Sequence, residues 1–106
     1  MLLGRLLDLA GSDNVVLERQ PQDYVLSRIR AGILEQTTVD LIHRAEAGAR
    51  LAEEGIKHHA MQLAFDYKAV SIDLSRHTNG KVVTAYGQTE VTRDLCEVRD
   101  NAGSAT

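Results

Sequence analysis

The sequence predicts a mixed α/β fold with α+β character, in which an opening unit of helix and parallel strand lacks the strand that should precede it. Three observations support this prediction. Leucines recur at helical spacing over Met1–Ala10, Val15–Leu17 is a short apolar run typical of a buried parallel strand, and two alternating runs predict a small β-hairpin. Because parallel strands occur in right-handed βαβ units, the first helix should itself follow a strand, and the sequence contains none before it.

The elements follow in chain order from local pattern. The first helix ends near Gly11, and the strand Val15–Leu17 is closed by Glu18 and Arg19. Gln20–Gly32 contains the one proline and no clean periodicity, which predicts a loop with at most a short helical turn. The remaining predictions are helices over 33–43 and 45–54, a hairpin of strands 61–65 and 70–74, a strand over 81–86, a helix over 88–99 and a frayed end over 101–106.

Composition limits the classes of function. The 106 residues are 43% hydrophobic and 25% charged, as in one globular domain covering residues 1–106. A net charge of -3 provides no clustered basic surface, so we expect no nucleic-acid partner. Charges at Arg5 and Asp8 interrupt the first apolar run, which is too short to cross a membrane and lacks a signal-peptide pattern, so we expect no membrane association and a cytoplasmic location. Cys96 is the single cysteine, which excludes an internal disulfide, and no spacing indicates a metal site.

Three groups of residues suit nucleotide binding. A carboxylate at the tip of a strand, here Glu18, can accept hydrogen bonds from both hydroxyls of a ribose. The run Arg28-Ile29-Arg30-Ala31-Gly32 combines guanidinium groups, which suit phosphate oxygens, with a glycine that permits close approach of the backbone. Gln88 lies where a strand should meet a helix N-terminus, a position suited to a polar ligand. Taken singly, the first group is better explained by a solvated strand end and the second by a surface basic pair with a turn glycine, and a helix cap is an alternative explanation for the third.

Other polar residues have simpler explanations. His58 and His59 lack the neighbours that a metal site would need, and Arg93 and Asp94 are expected to be solvated charges on the last helix. Cys96 is expected to be a small buried or half-buried residue, and no adjacent base would activate its thiol.

Three longer segments together are far more specific. NVVLERQ at 14–20, DYVLSRIRAGILEQ at 23–36 and YGQTEVTRDL at 86–95 make the chain resemble, nearly end to end, the 4-hydroxybenzoate 3-monooxygenase family of flavin-dependent aromatic hydroxylases. The resemblance implies an incomplete Rossmann-like FAD-binding domain with a β-hairpin insertion. It also implies FAD as cofactor, NADPH as co-substrate and hydroxylation of 4-hydroxybenzoate to 3,4-dihydroxybenzoate.

The resemblance also assigns roles to particular residues. FAD would be contacted by Glu18, at the adenosine ribose, and by Arg28, Ile29, Arg30, Ala31, Gly32, Ile33 and Gln88, with Arg30 near the pyrophosphate and ribityl region. Arg19 and Tyr24 match positions associated with NADPH, and His58 matches the outer end of a proton relay that deprotonates the substrate phenol.

The sequence departs from the family by lacking the glycine-rich Gly-x-Gly-x-x-Gly loop and the residues that hold the aromatic substrate, so most of the substrate pocket is expected outside this chain. We expect these residues to be a fragment of a longer enzyme, to bind FAD weakly or not at all and to be inactive alone. A catalytically inactive relic, a small nucleotide-binding or interaction module, and a hydroxylase of a related phenol remain as alternatives. A homodimer is also expected, because an unpaired sheet edge favours association.

Overall fold

The computed structural model describes residues 1–28 and 30–106, which form short helices and two small antiparallel sheets. The helices are α1 Leu2–Leu9, α2 Gln22–Ser27, α3 Gln36–Arg44, α4 Ala49–Glu54, α5 Leu74–His77 and α6 Gln88–Asn101. The strands are β1 Ile33–Glu35, β2 Ile56–His58, β3 Ala60–Phe65, β4 Lys68–Asp73 and β5 Val83–Ala85. The predicted mixed α/β class is therefore confirmed. Among the described residues, no helix has the length and apolar character needed to cross a membrane.

The core lies between α3, α4, α6 and the end of β5. The buried hydrophobic side chains that form it are Val39, Ile42, Ala45, Ala47, Leu51, Tyr86 and Leu95. Partly buried side chains of α1, β1 and α6 pack against them, namely Leu2, Leu6, Leu34, Val91 and Val98. The predicted helices α1 and α6 are confirmed, since both present the leucine or valine stripe that their periodicity indicated.

The first sheet has the order β1-β5-β2, and both pairs are antiparallel. The predicted helix over 33–43 is wrong at its start, because Ile33 and Leu34 pair with Ala85 and Thr84 and α3 begins only at Gln36. Strand β2 was not predicted at all. Both errors have one cause: these strands are three residues long and are fixed by hydrogen bonds to β5, a partner that is distant in sequence.

The predicted parallel strand Val15–Leu17 is also corrected. The structure has one parallel bridge there, between Val15 and Ala105, and Leu17 is 89% exposed. An apolar run becomes a buried parallel strand only between neighbouring strands, and among the described residues it pairs with Ala105 alone. The Rossmann-like arrangement stays a prediction.

The chain end is more ordered than the predicted frayed tail. Arg99 is fully buried and donates to Asp8 of α1 at 2.8 Å and to the carbonyl of Ala105 at 2.6 Å. The backbone N–H of Ser104 also donates to the carbonyl of Arg99. These bonds fasten the last residues to α1 and α6.

The hairpin β3–β4 is confirmed, with Ala60 opposite Asp73 and Phe65 opposite Lys68. Its turn consists of Asp66 and Tyr67, both with positive φ, which is the backbone shape of a two-residue hairpin turn. The side chains of the hairpin are largely exposed, including Phe65 at 60%. The predicted turn at 79–80 is confirmed by two residues with positive φ, and the short helix α5 before it was not predicted.

Candidate functional site

Two of the predicted ligand-binding segments meet at the junction of β5 and α6. The backbone N–H of Tyr86 donates to the carbonyl of Gly32 at 2.7 Å. A Cβ on Gly32 would lie 3.2 Å from the Cα of Gly87, so the two backbones are in contact. Glycine at 32 permits this approach. The structure therefore brings Gly32 beside the turn that carries Gln88, as the predicted site requires.

The N-terminus of α6 is open to solvent at this junction. Gly87 is the N-cap and provides no side-chain acceptor, while Gln88 and Arg30 are exposed. A helix N-terminus has partial positive charge and unpaired N–H groups, which together with an arginine suit an anionic group such as pyrophosphate. Ala31 is exposed in the same segment, and Ile29 lies outside the described residues.

The guanidinium of Arg28, just after α2, lies over the ring of Tyr24 with 5.6 Å to the ring centroid. This contact is a cation–π interaction at an exposed site. It joins a residue predicted to contact FAD with one predicted to contact NADPH. Arg19 precedes α2 in the chain, is exposed, and makes no such contact among the described residues.

Glu18 lies in a cleft of about 510 Å³ between the segment after Val15, α2 and α6. The cleft is lined by Met1, Val16, Leu17, Glu18, Gln20, Gln22, Val25, Thr92, Cys96, Asp100 and Thr106. The carboxylate of Glu18 accepts the backbone N–H of Gln20 at 2.8 Å. Thr92 is one helical turn from Gln88, so the cleft follows the α6 face toward that residue. Its volume is in the range of clefts that hold small ligands.

A larger cleft of about 710 Å³ lies elsewhere, lined by residues of α1, of the turn after it and of the last residues of the chain. It contains none of the predicted site residues.

His58 is exposed in β2, opposite Val83 of β5. Ile33 is opposite Ala85 of the same central strand, and Glu35 is opposite Val83, so Ile33 and His58 share one face of the sheet. The two residues are separated by two strand-to-strand spacings across the sheet and by two residues along the strand, so their Cα atoms lie roughly 12 Å apart. The histidine thus lies on the same face of the sheet as Ile33, two strands away from it.

A buried polar network beside Gln88 was not predicted. Asp94, expected to be solvated, is only 6% exposed and accepts the hydroxyl of Tyr86 at 2.6 Å and the guanidinium of Arg50 at 2.8 Å. Arg50 also binds Glu90 at 2.6 Å and Glu54 at 3.3 Å. Glu90 and Asp94 are four residues apart on one helix face, so their like charges favour a nearby cation. No sequence pattern near them indicates that this cation is Arg50.

The electrostatics of this network follow from its geometry. Burial, and then the hydrogen bond to Asp94, raise the pKa of Tyr86 well above its ordinary range. Hydrogen bonds to Glu90 and then Glu54 raise the pKa of Arg50. Tyr86 is therefore a neutral hydrogen-bond donor and Arg50 a cation near neutral pH.

The described residues contain no group of three or more side chains that could hold a metal ion. Cys96 is buried as predicted, and burial raises the pKa of its thiol, which opposes a nucleophilic role.

Comparison with known proteins supports the assignment from motifs. Residues 1–106 match the family described as FAD binding domain. The chain is 48% identical over 103 residues to the p-hydroxybenzoate hydroxylase of Acinetobacter baylyi (strain ATCC 33305 / BD413 / ADP1), which covers 97% of this chain and 26% of that relative. The chain thus spans about a quarter of the relative's length, and the resemblance inferred from its three motifs is confirmed. This chain belongs to the FAD binding domain family.

Proposed function

We propose that this chain is the part of an FAD-dependent aromatic hydroxylase that holds the adenosine and pyrophosphate side of the flavin. The observation that supports it best is the contact of Gly32 with the Tyr86–Gly87 turn, because two separate segments predicted to bind flavin meet there beside one exposed helix N-terminus. The name of the relative, p-hydroxybenzoate hydroxylase, supports the reaction class.

The residues present fit FAD in three places. Glu18, in a cleft of suitable size, would accept the ribose hydroxyls of the adenosine. Arg30 and the N-terminus of α6 would neutralise the pyrophosphate. Gln88 and the segment Arg28–Ile33 would contact the middle of the cofactor.

The proposal extends to the co-substrate and the reaction. The longer protein would use NADPH to reduce FAD and would hydroxylate 4-hydroxybenzoate to 3,4-dihydroxybenzoate, the chemistry that bound FAD supplies in reaction with dioxygen. Arg19 and Tyr24 would bind NADPH, with the arginine suited to the 2′-phosphate. His58 would exchange the proton of the substrate phenol with solvent, and its exposed position suits that role. The aromatic substrate would bind mostly outside this chain.

The cofactor part of the proposal is testable on the chain itself. We expect FAD to shift the backbone NMR signals of residues around Glu18 and Gln88, with weak affinity. The variants Glu18→Gln and Arg30→Ala should weaken the shifts, whereas Arg44→Ala, a distant exposed arginine, should not. Shifts confined to other surfaces would contradict the assignment.

The enzymatic part is testable in a chimaera in which these 106 residues replace the matching quarter of the Acinetobacter baylyi relative. We expect a yellow protein that oxidises NADPH and forms 3,4-dihydroxybenzoate. The chain alone should not turn over, because the rest of the flavin and substrate site is not in it. A folded chimaera that retains FAD but does not turn over would contradict the proposed hydroxylation and leave only the proposed FAD binding.

A further inference from the structure

We propose that Arg50, Asp94 and Tyr86 are positioning residues for the flavin, which hold the turn at Gln88 against the Gly32 segment. The inference rests on the proposed function, because it assigns a role to residues that lie behind the site and do not face it. Its basis is the hydrogen-bond network at the start of α6.

Tyr86 connects the two flavin-binding segments. Its backbone N–H donates to the carbonyl of Gly32 at 2.7 Å, and its side-chain hydroxyl donates to Asp94 at 2.6 Å. One residue therefore fixes the Gly32 segment through its backbone and the body of α6 through its side chain. Gln88 is two positions further along the chain, so its location depends on both bonds.

Arg50 fixes the position of Asp94, and with it the start of α6. Asp94 is buried, so its carboxylate needs partners, and Tyr86 alone would leave the negative charge without a cation. Arg50 approaches from α4, 44 positions earlier, and binds Asp94 and Glu90 with different nitrogens of the same guanidinium. A planar fork that grips two carboxylates one helical turn apart sets the rotation of the first turns of α6 about the helix axis.

The network does not extend to the Glu18 cleft. That cleft touches α6 at Thr92, Cys96 and Asp100, and none of these residues bonds to Arg50 or Tyr86 among the described contacts. The network should therefore affect the pyrophosphate side of FAD and leave the adenosine side unchanged, which gives the proposal its test.

The experiment uses the full chain and three variants. Tyr86→Phe removes only the hydroxyl, and Arg50→Gln removes the cation. Arg93→Gln is the matched control, because Arg93 binds Glu90 on the same helix but does not reach Asp94. For each protein, amide hydrogen exchange is measured by NMR, and the affinities for FAD and for adenosine monophosphate are measured by titration of the same spectra.

We expect faster exchange of the Tyr86 amide and about tenfold weaker FAD binding in Tyr86→Phe and Arg50→Gln, the size of one lost hydrogen bond to a charged group. Adenosine monophosphate, which reaches only the Glu18 cleft, should bind these variants as it binds the unmodified chain. Arg93→Gln should match the unmodified chain in all three measurements.

Three results would overturn the proposal. The first is an unchanged Tyr86 amide in both variants, and the second is an equal loss of affinity for both nucleotides, which would indicate general destabilisation. If the unmodified chain binds neither nucleotide, the proposed function fails, and the amide exchange rates alone test the positioning role. Faster exchange confined to residues 30–33 and 86–88 of the variants would then support that role. Faster exchange spread over all helices is the third result that would overturn it.

Discussion

Replacing Gly32 with alanine tests the contact on which the site depends. The new methyl group would lie 3.2 Å from the Cα of Gly87 and 3.4 Å from the carbonyl oxygen of Tyr86. Carbon atoms prefer about 3.5–4.0 Å, so the two backbones must separate by roughly 0.4 Å. Both neighbours are main-chain atoms and cannot rotate away. The Tyr86 to Gly32 hydrogen bond, now 2.7 Å, would lengthen but survive.

The magnitude follows from two opposing effects. Overpacking typically costs about 1–3 kcal/mol. Alanine at a position without positive φ restores about 0.4–1 kcal/mol, because it restricts the unfolded chain. We therefore expect Gly32→Ala to lower the free energy of unfolding by about 1 kcal/mol. The assay is urea unfolding followed by circular dichroism, with an unchanged denaturant slope.

Gly87→Ala is the matched control for this prediction, because it alters the other partner of the same contact. A Cβ on Gly87 would meet only the Cγ of Glu90, at 3.9 Å, and its φ of -55 suits alanine. This variant meets no steric clash, and it should lose at most about 1 kcal/mol, because alanine is a poorer N-cap than glycine. A Gly32→Ala variant as stable as the unmodified chain would refute the reasoning, since the contact at 32 would then be loose.

Three further predictions concern the cleft, the acid stability and the hairpin. Buried Cys96 should react slowly with iodoacetamide, and adenosine monophosphate should slow the reaction further by filling the cleft; absence of protection would contradict adenosine binding there, and protection that persists in Glu18→Gln would contradict the role of Glu18. Hydrogen bonds from the Arg76 backbone and then from Ser75 lower the pKa of Asp73 below 3.8, so its stabilising effect is complete above that pH and is lost as the pH falls through the lower folded value. The stability difference between the unmodified chain and Asp73→Asn should accordingly shrink as the pH falls below 3.8, and a difference that stays constant with pH would show that the charge is unimportant. Phe65→Ser, on the exposed hairpin, should change the free energy of unfolding by less than about 0.5 kcal/mol, whereas a clear loss that depends on protein concentration would indicate a dimer through this face.

The elements that could be predicted are those whose partners are near in sequence. Helix α1 shows its leucine stripe within eight residues, and the hairpin shows its alternation on both sides of a two-residue turn. Strand β1 could not be found in this way. Ile33 and Leu34 have a spacing compatible with a helix, and only pairing with Ala85 and Thr84 makes them a strand.

In the candidate site, too, the residues that could be predicted are those with a local sequence pattern. The motifs identified Gly32 and Gln88, and the structure brings their segments together. They did not identify Asp94, because its burial depends on Arg50, and a pair separated by 44 positions has no local pattern. A charged residue on a helix is assumed to be solvated until its partner is known.

The two halves of the site differ in how far they are formed. Around Gln88 the backbone is held by hydrogen bonds within the chain, through Tyr86 and Asp94. Around Glu18, one bridge among the described residues holds the backbone, from Val15 to Ala105, and Leu17 is exposed. Binding must order whatever is not already fixed, and that ordering reduces affinity. The cost of binding FAD should therefore be concentrated in residues 15–18, and their amides should gain the most protection from exchange when the nucleotide binds.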